Sequence, residues 1–206
     1  MDWYSKLPAI DDYARAREDF RLELPETLNF AFDVIDGHAE AGDKTAYVFV
    51  PADGSESRSV SFKELRASSN RFANALLALG ANPGDGVFVM LPRVPAWYDV
   101  ILGCCKSATV AMPGTNLLTA KDMAYRFERS KARFAVIAAV HVEKIESIRE
   151  QCPSLEHVIV VGAKHASFHS FDELMASASD TLSRDDAPTT RAGDPMLTYF
   201  TSGTTA

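Results

Sequence analysis

The chain has 206 residues, 47% of them hydrophobic and 24% charged, with a formal net charge of −7. That length can bury a core in one large domain or two small ones, and the ordinary hydrophobic fraction argues against wholesale disorder. The acidic balance argues against a nucleic-acid or anionic-membrane surface, because either calls for a basic field, and no stretch nears the roughly 20 apolar residues of a membrane span.

Residues 7–20 place Leu7, Ile10, Tyr13, Ala14 and Phe20 near helical spacing, which predicts a surface helix folded onto the body. A second helix is expected from Asn29 to Ala41, with Phe30, Val34 and Ile35 inward and Gly42-Asp43 as its stop. Thr45–Pro51 and Arg58–Phe62 read as a hairpin around the Asp53-Gly54 turn. Ser61 and Glu64 have capping-box spacing for a helix that runs to Leu79-Gly80 and buries Leu65, Ser69, Phe72, Ala73, Leu76 and Leu79.

From there strands alternate with helices. The expected strands are Val87–Leu91, Thr109–Met112, Phe134–Ala139, Val158–Val161 and Met196–Phe200. The expected helices are Pro95–Ser107, a segment capped by Thr119 and ending near Ser130, Val142–Gln151 and Ser170–Ser177, with a polar loop over Ser179–Asp194. Short apolar strands alternating with helices define an α/β fold, a mostly parallel sheet with helices on both faces, here with the hairpin added. Ligands of such sheets sit beyond the carboxyl ends of the strands.

The chemistry-bearing segment is Tyr199-Phe200-Thr201-Ser202-Gly203-Thr204-Thr205, at the end of the last expected strand. Small Ser, Thr and Gly residues let backbone N–H groups approach an anion, and the hydroxyls add donors. A frayed terminus has the same composition, and the Walker pattern is absent. Arg93, in the loop Leu91–Pro95, could meet a phosphate or carboxylate or be an ordinary surface arginine. Trp97 and Tyr98 could wall an apolar channel or simply pack. Pro113-Gly114-Thr115-Asn116 could line the same crevice or merely turn the chain. Arg126, Arg129, Lys131 and Arg133 read as a solvated cluster near a helix C-terminus, with phosphate binding as the other reading. The five histidines form no acid–base pair, and no metal site is expected.

Cys104 and Cys105 are adjacent, and neighbouring Cα atoms lie about 3.8 Å apart, below the usual disulfide span of about 4.4–6.8 Å. With Cys152 they read as small core residues in a reducing compartment. The first residues lack a signal-peptide apolar region, and Asp2, Asp11 and Asp12 spoil a mitochondrial targeting pattern, so a cytoplasmic location is expected.

The phosphate-loop segment resembles that of the adenylate-forming (AMP-binding) acyl-CoA synthetases. Leu91-Pro92-Arg93-Val94-Pro95, Val100–Cys104, Met112–Thr115, Ser130-Lys131-Ala132 and Cys152-Pro153-Ser154-Leu155 are similar to the medium-chain branch, so the resemblance spans residues 28–205. It implies a helical extension over 1–28 and, over 29–206, the first part of an AMP-binding domain that stops inside its phosphate loop without the small C-terminal lid. It also implies the reaction. A carboxylic acid attacks Mg-ATP to give acyl-AMP and pyrophosphate, and the thiol of CoA then displaces AMP. Thr201, Ser202, Gly203, Thr204 and Thr205 match the motif that holds the β- and γ-phosphates. ATP, Mg²⁺ and CoA are thus the expected cofactor and cosubstrates, with a medium-chain fatty acid as the acid. No catalytic residue and no metal ligand falls within the chain. Ala206 stands where the family carries Gly, the loop lysine is missing, and the chain alone is expected to be inactive. Ser107-Ala108 stands where relatives carry Ala-Gly. An aryl-acid ligase and a non-catalytic binding module are the competing readings, and a homo-oligomer is left open.

Overall fold

The computed structural model describes residues 11–21, 23–42 and 44–201. Its centre is a five-stranded sheet of β3 (Gly86–Met90), β4 (Val110–Pro113), β5 (Phe134–Ala138), β6 (His157–Val161) and β7 (His169–Ser170). The order is β4-β3-β5-β6-β7 and every pairing is parallel. Ahead of it, β1 (Thr45–Phe49) and β2 (Arg58–Ser61) form the antiparallel hairpin.

Strand periodicity divides the core in two. Val87, Val89, Phe134, Val136 and Ile159 point to one face, against Phe72 and Leu76 of α3 (Phe62–Ala78), Val100 and Cys104 of α4 (Pro95–Lys106) and Phe171 of α7 (Phe171–Ser177). The alternate residues Phe88, Met90, Ala135, Ile137, Val158 and Val160 point to the other. There they meet Met123 and Phe127 of α5 (Ala120–Ser130) and Ile145 and Ile148 of α6 (Val142–Ile148). Both faces are covered, as the near-continuous apolar strands require. The Ser61–Glu64 capping box forms as the spacing predicts, and Thr119 makes a second one with Asp122. All three cysteines are reduced and buried, and burial pushes the Cys104 and Cys105 thiols up to about 12.

Four expectations need correction. The first helix, α1 (Tyr13–Asp19), buries none of its residues and leaves Tyr13 72% exposed, so over the described residues it does not fold onto the body; Leu7 and Ile10 lie outside them. The second helix begins as a π-helical stretch, Ala31–Asp36, and continues as α2 (Gly37–Ala41). The wider π turn places Ala31 and Asp36, five apart, on the buried side; Phe30 is exposed and Val34 and Ile35 are half-buried. The helix after β5 ends in a tighter 3₁₀ turn, Arg149–Gln151.

The fourth correction is at Met196–Phe200, which forms no strand. Leu197 alone bridges Ala111, in parallel sense, with Ala111 N–H donating to Met196 O (3.2 Å) and Thr198 N–H to Ala111 O (3.0 Å). The next donor that a parallel ladder would take from β4 belongs to residue 113, and Pro113 has none.

The π stretch serves a buried ion pair. Lys106, wholly buried at the end of α4, donates to Asp36 Oδ1 (2.8 Å) and Oδ2 (2.9 Å) and to Asn70 Oδ1 (2.7 Å) on α3. Its ammonium also lies 5.1 Å from the Phe32 ring centroid. Burial pushes the Asp36 carboxyl up and the Lys106 ammonium down from their ordinary values, and their mutual attraction opposes both. Lys106→Ala leaves the buried Asp36 carboxylate only the longer contact to Arg66 Nε (3.7 Å) and should cost about 3 kcal/mol in urea unfolding, whereas Lys106→Met with Asp36→Leu should recover most of that loss.

Ala108 is a smaller, local departure. It follows α4 at φ 55°, in the left-handed region where a Cβ is unfavourable by about 1–2 kcal/mol. Ala108→Gly should therefore raise stability, by less than about 1 kcal/mol after the extra unfolded-state entropy of glycine is subtracted. Thermal unfolding of the two proteins side by side measures it.

Candidate functional site

The carboxyl ends of β4, β3 and β5 open on one edge of the sheet, and two loops offered from sequence for the crevice lie there beside a third that was not. Leu91–Pro95 follows β3, Pro113–Asn116 ends β4 and Ala139–His141 follows β5. Met196–Thr201 reaches the same edge, because the parallel bridge at Leu197 makes the segment run with β4. Phe200 is then held from α5: the Tyr125 ring meets it edge-on at 6.2 Å, and the Arg126 guanidinium lies 5.0 Å over it. These contacts fix Phe200, the residue before Thr201. Ser202, Gly203, Thr204 and Thr205 lie outside the described residues.

The chain leaves β4 at Gly114, where packing is close. A Cβ on Gly114 would fall 2.8 Å from Leu118 Cδ1 and 3.1 Å from the Phe88 ring, and Gly114 N–H bonds Val89 O (2.8 Å). The expected turn at Pro113-Gly114 needs correction: β4 runs through Pro113, and the chain turns at Asn116-Leu117, where Leu118 N–H donates to Thr115 O (3.2 Å). In that turn Thr115 Oγ1 accepts from Leu117 N–H (3.3 Å), and Lys144 of α6 donates to Leu118 O (2.8 Å).

A cavity of about 420 Å³ lies between the hairpin and the start of α4. Tyr47, Phe49, Leu91, Trp97 and Tyr98 line it, and Arg93, exposed, stands at its rim. Tyr47 and Tyr98 stack at 4.5 Å, and Trp97 meets Tyr98 edge-on at 5.3 Å. The aromatic pair thus walls a cavity, as one of its two readings required. Asp99, the next residue of α4, is turned inward, where Ser68 Oγ donates to it. Burial raises its carboxyl to about 6, and burial with the Asp99 charge pushes the Tyr47 phenol up to about 12.

The basic cluster at the end of α5 is divided among separate tasks. Arg126 covers Phe200, Lys131 closes the helix in the left-handed conformation at φ 54°, and Arg133 bridges Asp85 and Glu156. Three groupings escaped the sequence reading, and one corrects it: the histidines were expected to form no pair, yet His157 Nδ1 stands 3.2 Å from His169 Nε2 on the neighbouring strand. Asp36 and Lys106 each interrupt an apolar helical pattern, which was a usable signal. The contact between His141 Nε2 and Asn116 Oδ1 (3.0 Å) left none, because the two residues are 25 apart on different loops.

Comparison with known proteins agrees with this geometry. Residues 36–206 match the family model described as AMP-binding enzyme, and the chain belongs to that family. It is homologous to the N-terminal part of medium-chain acyl-CoA synthetases and of other CoA ligases. It is 34% identical over 205 residues to the mitochondrial acyl-coenzyme A synthetase ACSM3 of Mus musculus, covering 95% of this chain and 34% of that protein. With the mitochondrial acyl-coenzyme A synthetase ACSM5 of Homo sapiens it shares 36% identity over 193 residues, 90% of this chain and 33% of that one. The chain thus spans about a third of the length of these relatives. Among solved structures, the anthranilate CoA ligase AuaEII in complex with anthranoyl-AMP superposes with a TM-score of 0.79 at 27% identity, over 89% of this chain and 34% of that one. An acyl-CoA synthetase of Brucella canis has the same fold, with a TM-score of 0.79 at 23% identity, over all of this chain and 37% of its own.

The Asp99 carboxyl generates a pH prediction. Its folded value lies above the ordinary 3.8, so the protonated form is the one that folding favours. The stability this contributes is full below pH 3.8 and is lost as pH rises through about 6. Asp99→Asn should flatten that part of the stability profile and be the more stable protein at neutral pH, as urea midpoints across the range will record.

Proposed function

We propose that this chain is the adenylate-forming part of an acid–CoA ligase, and that Thr201–Thr205 hold the β- and γ-phosphates of ATP. The observation that supports the reading is the course of Met196–Thr201, which leaves β4 at the edge where open α/β sheets bind ligands, within a chain of the AMP-binding family. The donor set suits the task. Thr201, Ser202, Thr204 and Thr205 offer hydroxyls, and Gly203 lets the backbone close on an anion.

In the reaction the acid's carboxylate oxygen attacks the α-phosphorus of ATP, forming acyl-AMP as the bond to pyrophosphate breaks. The sulfur of CoA then attacks the acyl carbon and AMP leaves. The loop does no covalent work in either half. It fixes the departing phosphates and balances the charge that grows on them. Mg²⁺ arrives with the nucleotide; among the described residues no group of three or more His, Cys, Asp or Glu could hold a metal. A medium-chain fatty acid is the acid we propose, on the resemblance of Leu91–Pro95 and Met112–Thr115 to that branch.

The test uses the full-length enzyme that carries this segment. Thr204→Ala should lower kcat/KM for ATP in acid-dependent pyrophosphate exchange about 10- to 100-fold, the range for losing one hydrogen bond to a charged group. KM for CoA should stay within about twofold, because only the first half-reaction uses these phosphates. Equal loss in both, or no loss, would remove the loop from the phosphate site. A preference for benzoate over octanoate would overturn the fatty-acid assignment alone.

A further inference from the structure

We infer that His141 is a positioning residue that, in its neutral form, locks the β4–α5 loop to the turn after β5, and that releases the loop when protonated. The two segments follow the strands on either side of β3, so their contact spans the carboxyl end of the central strand. His141 is 6% exposed, and its Nε2 stands 3.0 Å from Asn116 Oδ1. An amide oxygen accepts, so the ring proton belongs on Nε2. Nδ1 is buried and has no hydrogen-bond partner among the described residues. The neutral ring therefore makes the one bond it can donate and leaves the lone pair of its buried Nδ1 without a donor.

Protonation changes the balance at Nδ1. The new N–H⁺ would need an acceptor, and none faces it among the described residues. On α6 the charged group near the ring is Lys144, whose ammonium is fixed on Leu118 O of the same loop (2.8 Å) and repels a second cation. On α5 the first-turn acid Asp122 is turned to its own cap, accepting from Thr119 N (2.9 Å) and Oγ1 (2.7 Å). Asn116 is neutral, and Ala138, Ala139 and Val140, which lead into the ring, carry no side-chain charge. Burial and Lys144 together hold the imidazole below its ordinary 6.5. A ring so depressed contributes stability above pH 6.5 that is lost as pH falls through its folded value. The relief open to the charged ring is to swing toward water, which breaks the bond to Asn116 and frees the loop. This behaviour belongs to the loop itself and is independent of the ligase chemistry proposed above.

Nitrogen-15 NMR of the 206-residue chain tests it. At neutral pH, long-range proton–nitrogen correlations should show His141 protonated at Nε2 alone. On acidification the amide signals of Thr115, Asn116 and Leu117 should move with the same midpoint as His141, below 6.5, and hydrogen exchange of the buried Leu118 amide, which donates to Thr115 O (3.2 Å), should quicken at least about tenfold beyond the chemical trend. His141→Gln can still donate to Asn116 but cannot titrate in this range, so it should remove the pH response while leaving the neutral-pH loop signals in place. Asn116→Ala should free the loop at every pH and let His141 titrate closer to 6.5. An Nδ1–H ring, loop amides indifferent to the His141 titration, or a response that persists in the Gln variant would each overturn the proposal.

Discussion

An ammonium group with no access to water is the constraint around which this chain is arranged. Burying Lys106 is tolerable only with acceptors fixed around it, and those acceptors come from Asp36 and Asn70. Their elements must converge on α4 for the pair to exist, which joins the N-terminal segment, α3 and α4 at one point. The same neighbourhood holds a later part of the chain in place. Asn29 donates to Cys105 O (2.7 Å), Leu28 N–H to Thr190 O (3.1 Å), and Asn70 Nδ2 to Asp180 O (2.9 Å). The long polar stretch before Met196 is therefore pinned at both ends by side chains and backbone next to the buried pair. The course of Thr201 depends on anchors distant from it in sequence.

The parts of this fold legible in the sequence were those whose causes are local. The capping box at Ser61, the cap at Thr119 and the short apolar strands alternating with helices each depend on neighbours a few residues apart, and each is present. What the sequence hid depends on partners brought together only by folding. The π turn at Ala31–Asp36 is unfavourable on propensity, and it forms because it swings Asp36 onto Lys106, 70 residues on. The two-residue β7 is too short to leave a periodic trace. The candidate site divides in the same way. Its loops could be placed at strand ends from pattern alone, and Trp97 and Tyr98 could be offered as a wall. The hold of Tyr125 and Arg126 on Phe200 is a long-range contact and could not be read.

The two faces of the sheet also differ in what they bear at the carboxyl edge. On the side of α3 and α4, aromatic rings enclose a cavity beside the half-buried carboxyl of Asp99. On the side of α5 and α6, polar ties run between loops, from Lys144 to Leu118 and from His141 to Asn116. An apolar recess and a network of fixed loops thus flank one edge, and Phe200 enters from the second side.

Pro113 has a consequence at that edge. Sheet ladders and anion-binding loops draw on the same backbone N–H groups, and a group committed to one is lost to the other. Had residue 113 been able to donate, the pairing begun at Ala111 could have run on, and the N–H of Phe200 would have turned to a carbonyl of β4. The proline ends that competition one pair after it starts. Its imino nitrogen works as a stop on the zipper, and the bridge to β4 stays confined to Leu197 and its two flanking bonds.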